Sequence, residues 1–143
     1  MTMQERLITK KFSSMPTKKP PRKYQRVLLE SEEAQILVQF LRARGLRFCH
    51  VPNEAATNPI RGAKLKREGV AAGFPDYIVF LGGLRVCFIE LKRTRYGRVG
   101  PMQKSWIEYL KHQGFDAIIA AGAVKAIQFI ESLLLCEEKT TYV

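Results

Sequence analysis

Gly73-Phe74-Pro75-Asp76, Tyr77-Ile78-Val79-Phe80-Leu81, Gly82-Gly83 and Leu84-Arg85-Val86-Cys87-Phe88-Ile89-Glu90-Leu91-Lys92 follow one another in this chain, and their reading decides the fold. An apolar run, a Gly-Gly pair and a second apolar run predict a β-hairpin. The charges stand at its open end, Asp76 where the first strand begins and Glu90-x-Lys92 where the second finishes. Side chains on a strand alternate between faces, so Glu90 and Lys92 project from the same side. Ionised groups beside Val, Ile and Phe are costly unless paired or bound to a metal. Two carboxylates and a lysine converging there describe a site for a hard divalent cation and a phosphate.

That convergence sets a condition on the register. A two-residue Gly82-Gly83 turn in perfect register would pair Leu81 with Leu84, set Asp76 opposite Ile89 and leave Glu90 on the other face. For both acids to share a site, a β-bulge or a three-residue loop must shift the count by one.

Working outward, His50-Val51-Pro52-Asn53-Glu54, Leu65-x-x-x-Gly69-Val70, Gly73-Phe74-Pro75-Asp76, Glu90-Leu91-Lys92 and Gln103 occur in that order. Together they resemble the VRR-NUC branch of the PD-(D/E)xK nuclease superfamily, over about residues 31–135. The resemblance implies an α/β, restriction-endonuclease-like fold, a mixed β-sheet flanked by helices. It implies a divalent-metal-dependent endonuclease acting on DNA, with Mg²⁺ or Mn²⁺ held by Asp76, Glu90 and the backbone carbonyl of Leu91. Lys92 would orient the attacking water or stabilise charge on the phosphate, and Gln103 would stand beside the scissile phosphate. A glutamate from the first helix completes the metal site in the family, a role given to Glu33. Free-standing members are small, often phage or mobile-element encoded and dimeric, and are associated with branched DNA such as four-way (Holliday) junctions. A homodimer, branched or duplex DNA as partner, and the cytoplasm of a bacterial or phage-infected cell are therefore the expected setting.

The composition agrees with a polyanionic partner. The 143 residues suffice for one domain with a single core. Hydrophobic content of 46% and charged content of 26% are ordinary, whereas a net charge of +11 is not. Such a balance points to nucleic acid first and an acidic membrane surface second. No apolar run reaches the roughly 20 residues of a membrane span, and no apolar leader is legible at the N-terminus. Cys49, Cys87 and Cys136 are widely spaced in apolar surroundings, with no CxxC pair. They read as reduced core residues of a cytoplasmic protein.

Along the chain, residues 1–26 form a basic arm. Lys10, Lys11, Lys18, Lys19, Arg22, Lys23 and Arg26 are interleaved with prolines against a single acid, Glu5. Such a segment buries little and is expected to be flexible. Residues 27–143 make the nuclease-like domain. Its first helix is expected from Ser31 or Glu32 to Arg44, with Ser31 as N-cap and Gly45 just past the end. At about 100° per residue, Glu33 falls at the centre of the face formed by Ile36, Leu37, Phe40 and Leu41. An acid there needs a reason, although one at a helix start also suits the helix dipole. Glu30 and Glu32 are the other candidates on this helix.

Leu46–Val51 reads as a strand, followed by a loop to about Ala72 in which Asn58-Pro59 is a turn signal. Lys64, Lys66 and Arg67 make that loop a DNA-contacting candidate. After the hairpin, Arg93-Thr94-Arg95-Tyr96-Gly97-Arg98-Val99-Gly100 is a basic loop with one aromatic. Arg93, Arg95, Tyr96, Arg98 and Lys104 are further candidates for nucleic-acid contact. A helix follows from Pro101 to about Gln113, where Pro101 suits the first turn and Gln103 lies where backbone N–H groups favour an anion. A strand over Phe115–Ala121 and a helix over Ala123–Cys136 complete the order α-β-β-β-α-β-α. His50 and His112 stand alone and are assigned to no metal. The competing readings are a non-catalytic basic DNA-binding module and a nuclease-like fold acting on RNA. Electrostatic binding alone has no use for Asp76 and Glu90, since carboxylates in a DNA groove repel phosphate unless a metal lies between.

Overall fold

The computed structural model describes residues 26–52 and 58–138. The motif residues Asn53 and Glu54 and all of the basic arm except Arg26 lie outside the described residues. The elements run α1 (Glu30–Ala43), β1 (Arg47–His50), α2 (Pro59–Arg67), β2 (Tyr77–Gly82), β3 (Arg85–Lys92), α3 (Pro101–His112), β4 (Asp116–Ala121) and α4 (Ala123–Glu138). The seven expected elements occur in the expected order. The short helix α2 is additional, inside the segment read as a loop. Asn58-Pro59 there is a helix start: the Asn58 side chain accepts the Ile60 N–H at 2.9 Å, and proline occupies the first helical position.

The four strands form one sheet in the order β1-β2-β3-β4. β1 and β3 are antiparallel to β2, and β4 runs parallel to β3 after the α3 crossover. In the hairpin, Tyr77 pairs with Ile89, Val79 with Cys87 and Phe80 with Val86, whereas Gly82 pairs with Arg85. The shift between Phe80 and Gly82 is a one-residue irregularity at Leu81. It is the displacement that a shared site requires, because continuing the ladder one step past Tyr77–Ile89 sets Asp76 opposite Glu90.

Strand alternation divides the core between the two faces of the sheet. On one face Tyr77, Val79, Leu81, Cys87, Ile89, Leu91 and Ala120 pack against Leu37 and Leu41 of α1 and Ala126 and Ile130 of α4. On the other, Phe88 and Ala117 pack against Ile107 and Leu110 of α3. β3 is therefore covered on both sides, and burying each Leu or Ile of this kind contributes about 1.5–3 kcal/mol. Of the three cysteines expected in the core, only Cys87 is buried. Cys49 lies on the edge strand β1 and Cys136 near the end of α4, both exposed.

Candidate active site

The site lies where the open end of the hairpin meets the start of α3. Even-numbered side chains of β3 face α3, and the last two of them are Glu90 and Lys92. Phe74 packs edge-on against both Phe88 and Trp106, and the Trp106 indole N–H donates to the Ala72 carbonyl at 3.2 Å. These contacts seat the Gly73–Asp76 segment on α3. Gly73 makes the approach possible, because its φ is +78° and a Cβ there would stand 2.7 Å from the Met102 Cβ and 2.9 Å from the Gln103 nitrogen.

Asp76 Oδ2 accepts the Leu91 N–H at 2.9 Å, so the first acid is tied to the strand that carries the second. Lys92 Nζ lies 2.7 Å from Glu90 Oε1. The same oxygen accepts a short hydrogen bond from Gln103 Nε2, while Gln103 Oε1 accepts the Gly100 N–H at 2.8 Å. Gln103 thus closes the first turn of α3 and reaches the acid with its other end. Glu90 is only 1% exposed, yet its Oε2 has no hydrogen-bond partner among the described residues. A buried carboxylate oxygen left empty is costly and calls for a ligand.

The electrostatics follow from burial and proximity. Burial pushes the Asp76 carboxyl above its ordinary value, against the Leu91 N–H and the Lys92 charge, which pull it down. Burial also pushes Glu90 up, joined by repulsion from Asp76 and Glu30 and opposed by Lys92. For Lys92, burial works to lower the ammonium, but the hydrogen bond to Glu90 and the charges of Glu90, Glu30 and Asp76 outweigh it, and its net shift is upward.

Glu33 does not join this group. It is buried, 4% exposed, as its central place on the apolar face of α1 predicts, but both of its oxygens are taken. Oε1 accepts the Thr94 hydroxyl at 2.5 Å and Oε2 accepts the Ala123 N–H at the start of α4 at 2.8 Å. The acid that α1 directs toward the site is Glu30, with Oε1 3.9 Å from Lys92 Nζ. The reason is where the helix begins. Ser31 is not its N-cap: α1 starts at Glu30, with Leu29 at the cap position, and the Glu32 carboxylate satisfies the Leu29 N–H at 2.8 Å. Thr94 carried no sequence signal, since only the folded chain sets it against Glu33.

The expected nucleic-acid contacts fall in two places. Lys64, Lys66 and Arg67 are exposed on α2, a helix with no buried residue, and Lys64 is 3.7 Å from Glu68. Arg95, Tyr96 and Arg98 are exposed on the loop after Lys92, and Lys104 is exposed in the first turn of α3. Arg93 is half-buried, and its Nε is a buried donor with no partner among the described residues. His50 stacks on Tyr77 with ring centroids 4.9 Å apart.

No three His, Cys, Asp or Glu side chains form a metal-binding group among the described residues. Magnesium asks for less, one or two carboxylates with waters retained. Asp76 and the empty Oε2 of Glu90 meet that demand. Leu91 directs its N–H to Asp76, and on a strand the carbonyl of the same residue points the same way. The residues fit such an ion.

Comparison with known proteins agrees with the fold. A solved structure described as a VRR_NUC domain protein superposes with a TM-score of 0.63 at 27% identity, covering 76% of this chain and 89% of that one. No curated protein matches the chain. The family model for the VRR-NUC domain matches residues 21–124, a span that takes in the hairpin, the basic loop and all of α3. On that match the chain belongs to the VRR-NUC domain family, a family of nuclease domains.

Proposed function

We propose that this protein is a divalent-metal-dependent endonuclease that hydrolyses DNA phosphodiester bonds at the site built by Asp76, Glu90, Lys92 and Gln103. The observation that carries this reading is the unfilled Oε2 of Glu90, a 1% exposed acid beside Asp76 and Lys92. Asp76, Glu90 and the Leu91 carbonyl would hold Mg²⁺ or Mn²⁺. Such an ion, when bound, neutralises phosphate charge and makes a bound water more acidic. Lys92, held by Glu90 and only 12% exposed at its side chain, keeps a positive charge where a phosphate oxygen or the attacking water would sit. Gln103 fixes the Glu90 carboxylate and aligns the start of α3, whose free N–H groups favour an anion. Glu30 adds a negative charge 3.9 Å from the Lys92 ammonium.

The exposed cations of α2 and of the 93–100 loop would track the DNA backbone on either side of this centre. Branched DNA, including four-way junctions, is the proposed substrate class. A homodimer would present two such sites to a two-fold substrate. The test is incubation of the purified protein with junction, flap, duplex and single-stranded DNA in Mg²⁺, Mn²⁺ or chelator. Cleavage in either metal and none in chelator is expected, with branched DNA cut fastest. Equal cleavage in chelator would overturn the metal-dependent reading.

A further inference from the structure

We propose that Tyr96 is a stacking platform for an unpaired base, and that through it this site prefers DNA with splayed nucleotides to plain duplex. Its placement beside a scissile phosphate rests on the nuclease reading above. Tyr96 is the only non-glycine residue with a positive φ, +64°, among the described residues. A bulky aromatic in the left-handed region is strained, and such strain persists only where the surrounding structure enforces it. Packing does not repay it here, because the residue is 83% exposed.

The chain around Tyr96 is fastened at several points, to α1, to the end of β3 and to the start of α3. Before it, the Thr94 hydroxyl is bound to Glu33 at 2.5 Å. After it, Gly97 comes so close to the strand that a Cβ there would lie 2.9 Å from both the Lys92 Cβ and the Arg93 carbonyl oxygen. Farther on, the Gly100 N–H is held by Gln103, the residue that also contacts Glu90. The backbone that carries the ring is therefore anchored near Lys92, unlike that of a slack loop. Its neighbours are Arg95 and Arg98, both exposed, and Arg93 with its unfilled Nε.

Arginines on both sides suit the phosphates of one strand, and an exposed ring on an anchored backbone between them suits a base. Every base offers a π-face, but in continuous duplex both faces are already covered by neighbours. The ring is rewarded only where a base is unpaired, at a fork, a flap or a junction point, or is turned out of the stack. Unpaired or splayed DNA is thus the ligand class this loop fits best.

The experiment is DNA binding by the full-length chain in chelator, so that nothing is cut. Forked, single-stranded and blunt duplex oligonucleotides carry 2-aminopurine at the branch or at a matched internal position. Wild type should bind the fork more tightly than the duplex and change 2-aminopurine emission only where the base is unpaired. Tyr96→Ala should lose about ten- to a hundredfold in affinity for fork and single strand, the range of one base–aromatic stack, and under twofold for duplex. Tyr96→Phe should stay within about twofold of wild type on all three. Tyr96→Gly should melt above wild type, because it releases the backbone, and yet bind the fork as poorly as Tyr96→Ala. Equal losses on fork and duplex with Tyr96→Ala would overturn the proposal. So would a loss with Tyr96→Phe as large as with Tyr96→Ala, which would make the hydroxyl the contact. A wild type that does not favour the fork would overturn it as well. Fork binding that depends on Tyr96 in a protein that cuts nothing in either metal would overturn the nuclease reading and leave the platform.

Discussion

Two glutamates of this chain are almost equally buried, and only one of them is finished by the protein itself. Glu33, 4% exposed, has a partner for each carboxylate oxygen, the Thr94 hydroxyl and the Ala123 N–H. Glu90, 1% exposed, has two donors crowded on Oε1 and, among the described residues, none on Oε2. The first arrangement is closed: it ties α1 to the start of α4 and to the loop after Lys92. The second is open, and Asp76 is close enough to raise its carboxyl by repulsion. Burial alone therefore does not mark a reactive acid. What marks it is a buried acceptor that the fold leaves unfilled beside a second charge it does not neutralise.

The contrast is tested most severely by activity. Glu90→Gln keeps the shape and removes the charge, and the cleavage rate should fall by at least about 10²–10³-fold. Glu33→Gln should stay within about tenfold of wild type, because a glutamine can still accept from Ala123 and meet the Thr94 hydroxyl. A single-turnover assay on the best substrate, with a mock preparation subtracted, measures both. If Glu33→Gln is as inactive as Glu90→Gln, the two acids belong to one site.

Metal binding sharpens the comparison through stability. A cation that binds only the folded state, at a hundred times its dissociation constant, adds about 2.7 kcal/mol. For a domain of this size the melting temperature should rise by about 5–10 °C. Wild type and Glu33→Gln should both show the rise in Mn²⁺ relative to chelator. Asp76→Asn should show little of it. A full shift in Asp76→Asn would place the ion elsewhere.

How much of this was legible in the chain depends on how local the determinant is. Asp76, Glu90 and Lys92 lie on one hairpin, where alternation by two and a count across the turn bring them together. A shift of one, by a bulge or a three-residue loop, could be required from those counts before any coordinates, and its place at Leu81 could not. Gln103 needed the family resemblance besides its place in the first turn of α3, because a surface glutamine would fit that place as well. The choice between Glu30 and Glu33 was of another kind. Helical periodicity put Glu33 at the centre of the apolar face, correctly, but what an acid meets on that face depends on α4 and the loop after Lys92, both distant in sequence. Moving the helix start to Glu30, which the Glu32 bond to Leu29 permits, is what leaves Glu30 near Lys92. α2 was hidden because Asn58-Pro59 serves a turn and a helix start equally well. Cys49 and Cys136 sit in apolar stretches whose outer sides face water.

A smaller effect should separate the two acids in the absence of metal. Glu33 faces the N-terminus of α4, where a negative charge contributes about 1 kcal/mol. Glu33→Gln should therefore melt about 3 °C below wild type in chelator. Asp76→Asn should melt at or above wild type, since it removes one charge from a pair that burial already penalises. A fall in Asp76→Asn as large as that in Glu33→Gln, seen by calorimetry in the same buffer, would mean that the protein satisfies Asp76 as fully as Glu33.

The smallest effect is the dependence of that margin on pH, and its sign follows from the direction of the shifts. Asp76 and Glu90 both have their carboxyls raised by burial, so the folded chain takes up their protons at a higher pH than the unfolded chain does. Above the raised values both states are ionised, and the fold carries the full cost of the buried charges. As pH falls through the raised values the folded carboxyls become neutral first, and stability from this source is gained down to the ordinary carboxylate value, below which nothing more is gained. The rest of the protein responds to acid as well, so the informative quantity is the difference between Asp76→Asn and wild type in chelator. That margin should be widest at neutral pH and shrink as the buffer is taken into the acid range. In Mn²⁺ the order reverses: protons compete with the ion for the same oxygens, and the metal-induced rise of wild type should diminish over the same range. Melting curves of both proteins across a pH series, with and without metal, give the two trends together. A margin that widens on acidification would mean that Leu91 and Lys92 more than offset burial at Asp76. The open half of the comparison would then be no more strained than the closed one.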